Sequence, residues 1–246
     1  MSSILDIRVL DVVSSTNDIA KELILQKKVS HGSVIRAHYQ TKGKGRQGNS
    51  WESNQGENLL FSIIITPQYY LPSQQFILNQ LVSVTLADFL QTFIPDHPIK
   101  IKWPNDLYVN DKKLAGMLIE HTILGNTLSY SIIGIGVNVN QISFEKSPNP
   151  VSLRILCSKK LNIDSLCVQY TEKFLHAFEH TNPFDEEILS KRYHAALYQL
   201  NEVKTYLING KKCQASILGT TKDGRLMLQH EDGAINYYEL NSLKYL

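Results

Sequence analysis

Two spacings of apolar residues alternate along the chain, and each predicts a different element. Short apolar runs rich in β-branched residues predict strands at about 8–13, 33–39, 59–65, 99–103, 107–109, 114–121 and 128–137. Apolar residues three and four apart predict helices at about 16–28, after Ser73, and at about 164–180 and 185–195. Ser15 or Thr16 and Ser73 are the expected N-caps of the first two helices. Because hairpins are mixed with helices, the pattern favours an α+β fold with a mixed, mainly antiparallel sheet.

The spacing changes near residue 203, which indicates a second structural unit. Short β-rich runs at 203–208, 213–218, 225–229 and 235–240 are separated by Asn-Gly and Asp-Gly pairs. Such pairs favour tight hairpin turns. We therefore expect a small antiparallel barrel or sheet over 199–246, following a main domain over 1–198.

Composition limits the class of protein without naming its function. The chain has 246 residues, 43% of them hydrophobic, and a net charge of +2. That charge is too small to indicate a nucleic-acid partner. Three cysteines without a C-x-x-C pair indicate free thiols in a reducing compartment. With no signal peptide pattern and no apolar run of about 18 residues, we expect a cytoplasmic protein without a membrane span.

A cationic glycine-rich segment, 40–51, lies between two predicted strands and is the strongest sign of chemistry. Its sequence, QTKGKGRQGNSW, contains three glycines, three cations and no acid. Glycine-rich backbone and cations suit a phosphate compound. A dinucleotide site needs a helix starting inside the motif, and a P-loop needs a lysine where Asn49 stands. The later motifs of protein kinases are absent. A flexible phosphate-binding loop and an ordinary solvated loop both remain open.

Three further segments combine polar residues with strand ends. Residues 102–106 read KWPND and would present Asn105 and Asp106 beside an indole, or would form an ordinary turn. Residues 112–116 read KKLAG, where Lys113 would share a face with Ala115 and Met117 and small Ala115 and Gly116 leave room for a ligand, or Lys113 is a solvated hairpin lysine. Residues 134–138 read GIGVN, which favours a flat ligand against the backbone, or a bulge or tight packing.

His176 and His180 match an inverted zincin pattern, H-x-x-E-H. They fall at the end of a predicted helix, where histidines complement the helix dipole without a metal. We assign them no metal and no role.

Taken together and in order, these segments resemble the biotin–protein ligase family over about residues 10–140. The matching pieces are Ser15-Thr16-Asn17, the loop from Gln40 to Gly48, Trp51, Asn58, residues 102–106, residues 113–116, and Gly134, Gly136 and Asn138. The loop departs from the family's usual Gly-Arg-Gly-Arg, because Lys44 replaces the first arginine. Lysine keeps the charge but loses the planar fork of arginine.

The resemblance implies a synthetase-like catalytic domain with a C-terminal Src-homology-3-like barrel, and a reaction in two steps. Biotin and ATP form biotinyl-5′-adenylate and pyrophosphate, and a lysine of a biotin carboxyl carrier protein then receives the biotinyl group. Lys113 and Arg46 would be catalytic, and Asp106 would bind Mg²⁺. Biotin would contact Ser15, Thr16, Asn17, Gln40, Lys44, Gly45, Arg46, Lys113, Gly116, Gly134 and Gly136. The nucleotide would contact Arg46, Trp51, Asn58, Asn105 and Asn138.

Some members of the family carry an N-terminal DNA-binding domain. About 14 residues precede Ser15, so we expect a ligase that does not bind DNA. A homodimer is compatible with the resemblance.

Three alternatives follow from the same residues. A lipoate–protein ligase or octanoyl transferase shares the fold type, but the cationic loop with residues 102–106 favours biotin. Lys113 and Arg46 argue against a ligand sensor without activity. The low net charge argues against a nucleic-acid-binding protein.

Overall fold

The computed structural model describes residues 5–67, 70–145, 147–180 and 186–246. The strands of the larger sheet are β1 (Ile7–Val13), β2 (Val34–Gln40), β3 (Leu59–Ile65), β4 (Lys100–Lys102), β5 (Asp106–Val109), β6 (Lys112–Leu124) and β7 (Thr127–Val137). The strands of the smaller sheet are β8 (Val203–Ile208), β9 (Lys211–Thr220), β10 (Leu226–His230), β11 (Ile235–Tyr238) and β12 (Leu243–Tyr245). The helices are α1 (Thr16–Leu25), α2 (Gln75–Gln91), α3 (Leu153–Cys157), α4 (Ile163–His180) and α5 (Glu186–Ala195).

The larger sheet has the strand order β1-β2-β3-β7-β6-β5-β4. Its first pair, β1 with β2, is parallel, and the remaining pairs are antiparallel. This confirms the predicted α+β class with a mainly antiparallel sheet.

Both faces of this sheet are covered, which explains the unbroken apolar sequence of β3. Phe61 and Ile63 point into the larger core, with apolar residues of α2 and α4. Ile64 points to the other face, into a smaller core with Ala20 of α1. Because strand residues alternate between faces, Ser62 lies on the same face as Ile64, beneath α1. Polar residues on this α1 face form the candidate site.

The second sheet is all β, as predicted, with the antiparallel order β11-β10-β9-β8-β12. The turn between β8 and β9 contains Asn209 and Gly210 at φ of 48° and 81°. Asn-Gly suits such a turn because both residues tolerate positive φ. Within the described residues the edge strands β11 and β12 do not pair with each other, so the unit is an antiparallel sheet, one of the two forms expected from the sequence.

The remaining differences from the sequence prediction concern short elements and ends. Helix α1 stops at Leu25, three residues before the expected end. Ser73 lies inside a 3₁₀ turn, and Gln74 instead occupies the N-cap position of α2. The five-residue α3 and three-residue β12 were not predicted, because so few residues show no clear period. Position 185, where the last predicted helix would begin, lies outside the described residues.

The two sheets contact each other through the end of β4. Trp103 follows β4 and donates a hydrogen bond from Nε1 to the carbonyl of Gly224, at 2.9 Å. Lys102 places its ammonium 4.6 Å from the ring centroid of Tyr245 in β12. The backbone passes from one sheet to the other between Tyr198, which bonds to β4, and Asn201, which bonds to β9. In the described part of the chain, no helix has the length and apolar content needed to cross a bilayer.

Candidate active site

A glycine on the α1 face leaves room for a buried asparagine. Ser62, Gly134 and Leu118 are directly opposed on β3, β7 and β6. A Cβ atom at Gly134 would lie 2.3 Å from Oδ1 of Asn17, so a side chain there would collide with this amide. Asn17 Oδ1 accepts a hydrogen bond from Ser62 Oγ at 2.6 Å, and its Nδ2 donates to the Leu118 carbonyl at 3.2 Å. Asn17 therefore spans three strands across the glycine.

The next set of directly opposed residues across the sheet is covered by the indole of Trp51. Gly136, Gly116 and Asp106 are directly opposed on β7, β6 and β5. A Cβ at Gly136 would lie 2.5 Å from Trp51 Cε2, and one at Gly116 would lie 2.9 Å from Trp51 Cζ3. Gly134 and Gly136 thus pack tightly against side chains of this protein, one of the alternatives left open by the sequence, and contact with a flat ligand stays a prediction. Trp51 Nε1 is buried without a hydrogen-bond partner.

Lys113 and Asp106 form an ion pair at the end of this set of residues. Their side chains are 31% and 24% exposed, and Lys113 Nζ lies 2.8 Å from Asp106 Oδ2. The same ammonium lies 5.4 Å from the Trp51 ring centroid. The Lys113 backbone is fixed by hydrogen bonds with Asn149 and Val151, at 2.8 and 2.9 Å. A half-buried ammonium is therefore held in place on the α1 face.

The glycine-rich loop folds back onto α1 through its polar side chains. Gln40 Oε1 accepts hydrogen bonds from the Thr16 backbone N–H at 2.7 Å and from Thr16 Oγ1 at 3.1 Å. It thereby binds the first N–H of α1, while Ser15, one of the two expected N-caps, occupies the N-cap position without a side-chain hydrogen bond to the helix. Lys44 pairs with Asp18 on the same helix. Arg46 is half-buried, and burial lowers the pKa of its guanidinium while Asp106 opposes that shift.

A cavity of 130 Å³ lies where the loop, α1 and the sheet meet. Fourteen of the predicted site residues line it, namely Ser15, Thr16, Asn17, Gln40, Lys44, Gly45, Arg46, Trp51, Asn105, Asp106, Lys113, Gly116, Gly134 and Gly136. A larger cavity of 660 Å³ shares Lys44, Gly45, Arg46 and Asn105 with it and extends to the second sheet. The loop therefore separates two adjoining spaces.

Two predicted residues, Asn58 and Asn138, line neither cavity. Asn58 donates to Gln141 Oε1 at 2.5 Å and accepts from the Val139 N–H at 2.9 Å. Asn138 donates to the Lys113 carbonyl at 3.3 Å. These contacts brace the backbone that holds Lys113, and a role in nucleotide binding stays a prediction.

Sequence reasoning missed two residues that bind Asn17, namely Ser62 and Glu120. Ser62 interrupts an otherwise apolar strand, and that lone hydroxyl could have drawn attention. Glu120 Oε2 accepts from Asn17 Nδ2 at 2.7 Å, although the two residues are 103 positions apart. No local pattern connects them.

The described residues contain no group of three or more histidine, cysteine or acidic side chains that could hold a metal ion. The rings of His176 and His180 stack at 4.2 Å, and His180 Nδ1 lies 2.8 Å from the His176 carbonyl.

The Biotin/lipoate A/B protein ligase family matches residues 9–138, more than half of the chain. The chain belongs to this family. Membership in this biotin/lipoate ligase family confirms the resemblance seen in the sequence and the prediction that the protein is a ligase.

Relatives of this ligase come from bacteria and eukaryotes. The bifunctional ligase/repressor BirA of Escherichia coli is 30% identical over 234 residues, which are 93% of this chain and 70% of that protein. The biotin–protein ligase of Homo sapiens is 28% identical over 92% of this chain, but the alignment covers 32% of that protein. BirA of Bacillus subtilis is 36% identical over 53% of this chain and 39% of its own length.

Solved structures share the fold of this ligase along almost its whole length. The biotin protein ligase of Aquifex aeolicus in complex with biotin and ATP matches with a TM-score of 0.81 at 23% identity, covering 98% of each chain. The biotin protein ligase of Leishmania major in complex with biotinyl-5-AMP matches with a TM-score of 0.68 at 18% identity, over 95% of this chain and 98% of that one.

Proposed function

We propose that the protein is a biotin–protein ligase. It would join biotin to ATP, giving biotinyl-5′-adenylate and pyrophosphate, and would pass the biotinyl group to a lysine of a biotin carboxyl carrier protein. The relatives with the names BirA and biotin–protein ligase support this substrate.

One observation carries the choice of biotin over lipoate. The 130 Å³ cavity combines buried polar side chains, Ser15, Thr16 and Asn17, with the Lys113–Asp106 pair. The ureido ring of biotin has two N–H donors and one carbonyl acceptor, which such a polar group can satisfy. The dithiolane ring of lipoate has no hydrogen-bond donors and could not donate to this polar lining, so the lining favours the ureido ring.

Lys113 is the residue suited to hold the reacting carboxylate. In the first step a biotin carboxylate oxygen attacks the α-phosphorus of ATP, and pyrophosphate leaves. Two anions must approach each other, so a fixed cation lowers the barrier. In the second step an amine attacks the acyl carbon, and AMP leaves with the bonding electrons. The ammonium of Lys113 would then stabilise charge on the oxygens of the anhydride.

The nucleotide has room in the larger cavity, whose 660 Å³ lies within the usual ~300–1,000 Å³ of ligand sites. Arg46 and Asn105 line both cavities, so both would contact the adenylate. Asn105 is fixed by donating to the Met117 carbonyl. The guanidinium of Arg46 is half-buried and stays protonated, so it supplies a fixed positive charge.

The residues fit a Mg²⁺ ion that arrives with the triphosphate. Among the described residues lining the smaller cavity, Asp106 is the one carboxylate. Mg²⁺ in nucleotide sites typically takes one or two carboxylates together with phosphate oxygens and water. Bound there, the ion would neutralise phosphate charge. Asp106 would have to divide its oxygens between this ion and Lys113.

Biotin-dependent exchange of labelled pyrophosphate into ATP tests the proposal. We expect exchange with biotin and none with lipoate. Lys113→Ala should lower exchange by about 10²–10³-fold, the usual effect of removing one such donor. Lys112→Ala is the matched control, because Lys112 is an exposed lysine on the same strand and lines neither cavity. Exchange with lipoate but not with biotin would overturn the assignment of biotin as the substrate.

A further inference from the structure

The amide of Asn17 has its two ends bound to different partners. It is 3% exposed, so its hydrogen bonds must be satisfied within the protein or by a ligand. Nδ2 donates to the Leu118 carbonyl at 3.2 Å and to Glu120 Oε2 at 2.7 Å. The second oxygen of Glu120 accepts from Lys21 Nζ at 2.5 Å. A chain of contacts thus runs from an exposed lysine to the buried asparagine.

The carboxylate of Glu120 decides which way this amide points. An ionised carboxylate only accepts hydrogen bonds, and so does the Leu118 carbonyl, so both require the nitrogen of Asn17. The bond to Glu120 is the shorter one and carries a charge, which makes it the stronger. Ser62 does not fix the orientation, because a hydroxyl can donate or accept.

With this orientation, the wall of the cavity offers an acceptor at Asn17. Ser62 Oγ has one proton and two acceptors in reach, Asn17 Oδ1 at 2.6 Å and Thr16 Oγ1 at 2.7 Å. When Ser62 donates to Thr16, Asn17 Oδ1 becomes free to accept from a ligand N–H. A reversed amide would instead present an N–H to the N–H of a ureido ring, and both donors would lose their partners.

We propose that Glu120, held by Lys21, is a positioning residue that fixes the amide of Asn17 for recognition of the ureido ring. This inference rests on the proposed use of biotin. Glu120 also lines the larger cavity, so removing its charge could change ATP binding for an unrelated reason. The test must therefore separate the Michaelis constants of biotin and ATP.

The main variant is Glu120→Gln, which keeps the shape but can donate as well as accept, so only the weaker bond to the Leu118 carbonyl still fixes the orientation of Asn17. In pyrophosphate exchange we expect the KM for biotin to rise about 10–100-fold, the range for losing one hydrogen bond to a buried group. The KM for ATP and the kcat should change less than about threefold. Desthiobiotin, which keeps the ureido group, should show the same rise. An unchanged KM for biotin, or a rise only for ATP, would overturn the inference.

Two further variants provide a second test and a control. Lys21→Met removes the cation from Glu120 at a side chain that is 47% exposed, so folding is not at risk. It should raise the KM for biotin about 3–10-fold, and no rise would count against the inference even if Glu120→Gln fails to fold. Glu187→Gln removes a carboxylate from another surface ion pair, with Lys191, and should change nothing. A wild-type protein without biotin-dependent exchange would refute the proposed function itself, before any variant is compared.

Discussion

Replacing Gly134 with alanine should damage both stability and biotin binding. The added Cβ would lie 2.3 Å from Asn17 Oδ1, against at least about 3.4 Å for an ordinary contact. Asn17 must therefore move by roughly 1 Å, which stretches its 2.6 Å bond from Ser62 beyond hydrogen-bonding distance. Backbone strain contributes little, because Gly134 is not among the residues with positive φ.

The expected cost follows from these contacts. Overpacking typically costs about 1–3 kcal/mol, and each weakened hydrogen bond about 1 kcal/mol. Alanine recovers roughly 0.5–1 kcal/mol over glycine in a strand. The net loss of about 1–3 kcal/mol corresponds to a fall in Tm of about 2–12 °C for a protein of this size. The KM for biotin should rise at least tenfold, since the displaced amide lines the cavity.

Gly136→Ala is the matched comparison, since it adds the same methyl group on the same strand. Its clash is with Trp51, which is half-buried and whose Nε1 makes no hydrogen bond. Thermal unfolding and pyrophosphate exchange measure both variants. We expect the larger fall in Tm for Gly134→Ala. An unchanged Tm and an unchanged KM for biotin in that variant would refute the assignment of Asn17.

Three further predictions concern the chemistry and the pH dependence. Lys113→Ala should also slow transfer of purified biotinyl-adenylate to an acceptor lysine by about 10²–10³-fold, and a normal rate would contradict its role in the second step. Arg46→Gly should still form adenylate but release it, and chromatography that finds no free intermediate would contradict a closing role for the loop. Burial lowers the pKa of His121 and of His194, so the unfolded chain binds protons more readily. The free energy of unfolding in urea should therefore fall as pH drops below about 6.5, less so in His194→Gln, and a value independent of pH would contradict this.

The sequence predicted the fold where a strand or helix was long enough to show its period. Strand β3 and strand β8 begin and end at the predicted residues. The predicted strands at 107–109 and 114–121 are β5 and β6, and the turn between them contains Asn110 and Asp111, both at positive φ. Short elements such as β12 contain too few residues to show a repeat of apolar and polar positions, so the sequence could not predict them.

The candidate site was predicted through its motifs, but not through its contacts. The sequence left open whether glycines 134 and 136 contact a ligand or pack tightly within the protein, and it could not name Asn17 and Trp51 as the side chains packed against them. Asn17 lies on α1 and Trp51 in the glycine-rich loop, far along the chain from these glycines, so only the packing of α1 and the loop on the sheet brings them there. The role of Glu120 could not be predicted from the sequence either, because an isolated glutamate in a strand cannot be told from a solvent-exposed one.

The hydrogen bond from Trp103 to Gly224 makes the second sheet a mechanical support for the first. Trp103 lies three residues before Asp106, and its indole is 5% exposed, so the Gly224 carbonyl cannot be exchanged for water without opening the interface. A Cβ at Gly224 would also collide with Phe76 of α2, so this turn has little freedom to shift. A displacement of the β9–β10 turn would therefore act directly on Trp103, three residues before Asp106, through a buried hydrogen bond.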